Sequence, residues 1–123
     1  MNIEIRWDTK KRDALVCEFK GDWTWHECRE AMQVMLYMQE GLQVDHIYDL
    51  SHSTLAPRAC VNRLHKLFQL TIDPAPRQVV IVDKDYRANM LNEMLSGIAA
   101  PLGLQFVSSV DAARQLLLEP ELS

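Results

Sequence analysis

The residues best equipped for chemistry stand together in one run, His46-Ile-Tyr-Asp-Leu-Ser-His-Ser-Thr-Leu-Ala-Pro-Arg58. Within it, Asp49, Ser51, His52, Ser53 and Thr54 offer a carboxylate, an imidazole and three hydroxyls. Such a set could hold an ion or a phosphate, or present a loop to a partner. Asp, Ser and Thr also cap helices and tie turns by bonding to nearby backbone, so each residue singly is expected to be structural. It is the clustering that points to a site. Asp83, Lys84 and Asp85 end a later apolar run and are expected to face the same rim.

Several chemistries are excluded by spacing. Asp49, Ser51 and His52 are too close along one strand to form a hydrolytic relay, and no G-x-S-x-G turn exposes a nucleophile. His26, His46, His52 and His65 lack metal-ligand spacing with each other or with cysteine, so no metal site is expected. The glycines at 21, 41, 97 and 103 form no phosphate-cradling loop, and no cofactor is implied. A phosphoaccepting receiver domain needs an acidic pair after an early strand and a lysine after the last one. Ser108-Ser109 stands at that second place, so the receiver is rejected. No catalytic residue is assigned, and the chain is not expected to be an enzyme.

The elements that position these residues follow from periodicity. Ile3, Ile5 and Trp7 alternate with Glu4, Arg6 and Asp8, and Leu15, Cys17 and Phe19 with Val16, Glu18 and Lys20, so the economical reading is a hairpin across the polar turn of residues 8–13. Thr24-Trp-His-Glu27 has the form of a capping box, and the helix it opens should stop at Gly41. Its apolar stripe takes in Trp25, Cys28, Met32, Met35 and Gln39, broadened by Ala31, Val34 and Met38. Residues 44–50 read as a strand. Pro57 should open a second helix to about Thr71, with Leu64 and Leu67 inward and Arg58, Asn62 and Lys66 outward beside Arg63. Gln78 to Asp83 is a β-branched run suited to a parallel strand covered on both faces. A third helix with Leu91, Met94 and Leu95 inward, a strand at 104–107 and a capped last helix packing Ala113 and Leu117 complete the pattern.

The predicted fold class is therefore α/β: one domain over residues 1–123, with a mixed, mostly parallel sheet of about five strands. An N-terminal hairpin forms its antiparallel edge, and helices cover both faces.

Tryptophans and methionines raise a second candidate surface. Trp23 and Trp25 flank the start of the first helix, and both cannot easily point inward across so tight a turn. One of them is expected to be exposed and to serve docking. Met32, Met35 and Met94 with Trp25 could line an apolar pocket, although core packing explains such stripes more often.

Composition narrows the partners. A net charge of −4 over 123 residues gives no footprint for nucleic-acid phosphates. No apolar run reaches the roughly 18 residues of a membrane span, and no signal peptide is evident. Cys17, Cys28 and Cys60, odd in number and far apart, suit reduced thiols in a cytoplasm.

Gly21-Asp22 before the first helix, Asp49-Leu50-Ser51 ending the third strand, the Pro57 helix start and Val107-Ser-Ser-Val-Asp-Ala-Ala113 together resemble the STAS domains. The likeness is to the SpoIIAA-like branch, relatives of bacterial anti-sigma factor antagonists, and spans nearly the whole chain. It implies a regulatory module that binds a protein partner. In antagonists, a serine at the start of the helix after the Asp-Leu-Ser strand is phosphorylated and the complex breaks. That position falls near Pro57-Arg58, which cannot be phosphorylated as serine is; Ser53 and Thr54 lie a few residues earlier. Some members of the branch are grouped with lipid-binding SEC14-like domains, which implies a small apolar ligand as the alternative. The expected docking rim is Asp49 to Arg58 with Asn62 and Lys66, and the wide apolar face of the first helix or the hairpin edge would also serve a homodimer.

Overall fold

A computed structural model of the chain describes residues 2–8, 13–54, 63–64, 66–67, 76–84 and 104–118. Strands β1 (Ile3–Trp7) and β2 (Ala14–Gly21) form the antiparallel hairpin, in the register Ile3 opposite Phe19 and Trp7 opposite Leu15. Helix α1 (Trp25–Gln39) leads to β3 (Asp45–Ser53), parallel to β2. Strands β4 (Val79–Val82) and β5 (Leu104–Val107) continue the parallel pairing, and α2 (Val110–Leu118) closes the described chain. The result is one α/β unit on a five-stranded mixed sheet.

Alternation along the strands sends apolar side chains to both faces. Leu15, Cys17, Phe19, Tyr48, Leu50 and Ile81 join the α1 face, where Cys28, Ala31, Met32 and Met35 meet them. Ala14, Val16, Ile47, Val80 and Val82 point the other way, against Ala113 and Leu117 of α2. Residues 63–64 and 66–67 are helical, and Leu64 and Leu67 pack on the α1 side as expected. The rest of the expected second helix and the whole third helix lie outside the described residues.

Spatial order β1-β2-β3-β4-β5 repeats chain order. Each parallel step moves in one direction, and the described parts of the first two connections, α1 and then Leu64 and Leu67, lie on the same face, as right-handed crossovers in this order require. The winding never reverses. Open α/β sheets place ligands where strand order reverses, and the order of the described strands has no such reversal at β3.

The edge of the sheet where the parallel strands begin is closed by ion pairs. Arg77 Nε donates to Asp45 Oδ1 at 3.0 Å, and its Nη2 reaches Asp13. Arg114 of α2 donates to both oxygens of Asp8 from Nε, at 3.1 Å, and to Oδ1 from Nη2, at 2.7 Å. Asp8 and Asp45 are buried and hold these cations in fixed positions. That edge is structural.

Candidate functional site

At the opposite edge the chain departs from regular pairing. β3 runs through Ser53, so Ser51, His52 and Ser53 extend the strand where a loop was expected. Glu18 and Lys20 face Asp49 and His52, which leaves one extra residue in β3 as a bulge. Asp49 holds the bulge. Its Oδ1 accepts from the Ser51 backbone N–H at 3.0 Å and from the Ser51 hydroxyl at 2.6 Å. Both residues are thereby engaged with each other.

Beyond the bulge the two halves of the candidate run part company. His52 pairs with Lys20 and is exposed. Around Lys20 a cross-strand charge lattice is already satisfied, with Glu4 at 3.1 Å and Glu18 at 3.0 Å, and Arg6 3.5 Å from Glu18. Ser53 pairs with Gly21 and turns towards α1, where its hydroxyl accepts the indole N–H of Trp23 at 2.7 Å. Thr54 latches the rim shut. Its backbone N–H donates to the Gly21 carbonyl at 3.0 Å, and its hydroxyl shares its one proton between that carbonyl, at 2.9 Å, and the Asp22 carboxylate. Gly21 supplies the turn with φ +55°, a left-handed conformation that glycine adopts most cheaply.

Neither Trp23 nor Trp25 is exposed as one was expected to be, because both pack against the α1 core. Trp23 is buried, edge-on to Phe19 and to Trp25, each at 4.9 Å between centroids. Trp25 is half-buried, and the Arg63 guanidinium lies 4.1 Å over its ring. A continuous path of contacts therefore runs Ser53, Trp23, Trp25, Arg63. Met32 and Met35 are wholly buried beside Phe19 and Tyr48 in the core cluster. Lys66 is helical and exposed. Pro57, Arg58, Asn62 and Met94 lie outside the described residues, as does Asp85; Asp83 is buried and Lys84 exposed at the end of β4.

The structure thus gathers Ser53, Thr54, Trp23 and Trp25, and separates His52 and the Asp49–Ser51 pair from them. It adds Asp22, to which Thr54 bonds, and Arg63, which covers Trp25. Arg63 was legible only as a member of an outward helical face; the sequence carries no sign of its seat on Trp25.

One polar assembly lies deep inside. His46 Nε2 is 2.7 Å from Gln39 Oε1, and His46 Nδ1 is 2.9 Å from the Tyr48 hydroxyl. Burial pushes the imidazole pKa down to about 4 and raises the Tyr48 phenol and the Cys17 thiol. A thiol so buried is a poor nucleophile at neutral pH. Among the described residues no group of His, Cys, Asp and Glu could hold a metal ion, and no helix is long and apolar enough to cross a membrane.

A scan of protein-family models finds none that matches this chain, and a search of curated proteins finds no match either.

Proposed function

We propose that the chain is a non-enzymatic regulatory module that binds a protein partner through the rim at the end of β3, the role its STAS resemblance implies. The observation that carries this reading is the Thr54 latch. An exposed hydroxyl closes the β2–α1 turn onto β3 through Gly21 and Asp22, next to the path from Ser53 to the half-buried Trp25. A phosphate on Thr54 would set about two negative charges against the Asp22 carboxylate and open that latch. Binding would then respond to modification of the rim, with no catalysis by the chain itself. An apolar-ligand role has no comparable observation in its favour, because Met32 and Met35 are taken up by core packing.

Capture from the host cell with wild-type, Thr54→Ser and Thr54→Glu chains tests the reading. The wild type and Thr54→Ser should retain one common partner that Thr54→Glu loses. An identical partner set for all three chains overturns it.

A further inference from the structure

We infer that Trp25 with Arg29, Arg63 and Lys66 forms a docking groove for an acidic peptide segment of the partner protein. The inference rests on the reading of the chain as an interaction module and adds what the partner must present.

Helix α1 has two flanks. Glu27 marks one, since its carboxylate accepts the backbone N–H of Asn2 beside β1 at 2.9 Å. Trp25 marks the other, where Arg63 covers its ring. Arg29 follows Trp25 by four residues, so it lies on the Trp25 flank, and its side chain leans back towards the turn that carries Trp25. Lys66 follows Arg63 by three residues on a helical stretch and is its surface neighbour. Arg29, Arg63 and Lys66 are exposed, and none forms an ion pair with a described carboxylate. Arg6, Lys20, Arg77 and Arg114, by contrast, are each bonded to acidic residues, and Lys84, also exposed with no ion pair to a described carboxylate, stands apart at the end of β4.

Its place over the indole holds the exposed Arg63 guanidinium beside Trp25, with its N–H groups bonded to no described carboxylate. That is the arrangement suited to bidentate bonding of a carboxylate. The half-buried indole edge beside it offers contact to an apolar side chain in the same segment. In a chain of net charge −4, this island of positive charge fixes the orientation of a partner more than it attracts one from a distance. Three cations are too few to track a nucleic-acid backbone, and fall short of the roughly four to eight of a lipid-binding basic cluster.

The test is a titration of the ¹⁵N-labelled full chain with a synthetic peptide of glutamates and aspartates around one phenylalanine. The Trp25 indole and Arg63 Nε–H signals should move while the Trp7 indole stays in place. Reversing charge with Arg63→Glu and Lys66→Glu should weaken binding by about tenfold or more, equivalent to about 1.4 kcal/mol. An unmoved Trp25 signal, equal binding by the reversed variant, or shifts produced by anionic phospholipid vesicles and not by the peptide would each overturn the groove. A captured partner lost by Thr54→Glu but kept by the reversed variant would leave the rim reading standing and sink this one.

Discussion

At the scale of single residues, the hydrogen-bond directions in the interior fix a tautomer. Gln39 Nε2 donates to the Leu42 carbonyl at 3.3 Å, so Gln39 Oε1 is left to accept from His46 Nε2–H at 2.7 Å. His46 Nδ1 then accepts the Tyr48 O–H. The neutral imidazole is both donor and acceptor, whereas an imidazolium would confront the Tyr48 O–H with a second donor. Because the folded pKa is near 4 and the unfolded value near 6.5, the unfolded chain binds the extra proton between those limits. Stability supplied by His46 is therefore complete above pH about 6.5 and lost as pH falls to about 4, at roughly 1.4 kcal/mol per unit. Urea unfolding across that window should show this slope, and His46→Leu should flatten it while lowering stability at neutral pH by about 1–3 kcal/mol. The pieces were visible in the sequence: His46 and Tyr48 are two apart on a strand, and Gln39 lies on the inward stripe of a helix. Their meeting was not, because it depends on how far α1 slides along β3.

At the scale of elements, α1 was the most legible. Thr24 accepts from the Glu27 N–H at 3.1 Å, Glu27 accepts from the Thr24 N–H at 3.1 Å, and Glu40 ends the helix with φ 51° before Gly41. Thr24→Ala should destabilise the fold by about 1 kcal/mol, read as a lower urea midpoint with an unchanged slope. The apolar stripe was drawn too wide. Val34 is exposed, because one sheet face buries only the central stripe of a helix and Val34 sits on its margin. β3 was drawn too short for a different reason. Ser-His-Ser reads as loop by composition, yet the bulge after Asp49 restores pairing with β2 and carries the strand on to Ser53. A bulge changes which residues face inward, and nothing in the residue types announces it.

At the scale of the whole molecule, the first and last described elements are bound to each other. Arg114 on α2 and Asp8 beyond β1 are 106 residues apart, and their side chains are only 15% and 2% exposed. Arg114→Met should remove three hydrogen bonds and a neighbouring cation from the buried Asp8 carboxylate and destabilise the protein by about 3 kcal/mol. Faster amide exchange in β1 as well as α2 is the accompanying signature. The α/β class, the hairpin edge and the five strands were all legible from periodicity, since apolar alternation and β-branched runs record which faces are buried. The pairing of Arg114 with Asp8 was not, because attraction between distant charges leaves no periodic trace. The unreversed strand order also bears on the birth of the chain. A nascent chain leaving the ribosome needs no insertion between strands already paired: β2 meets β1, β3 meets β2, and each newcomer adds to an open border. Assembly can thus follow synthesis from the N-terminal end. By the time β3 has emerged, α1 and the His46 relay can already be in place, while the free border of β3 waits to be covered by β4.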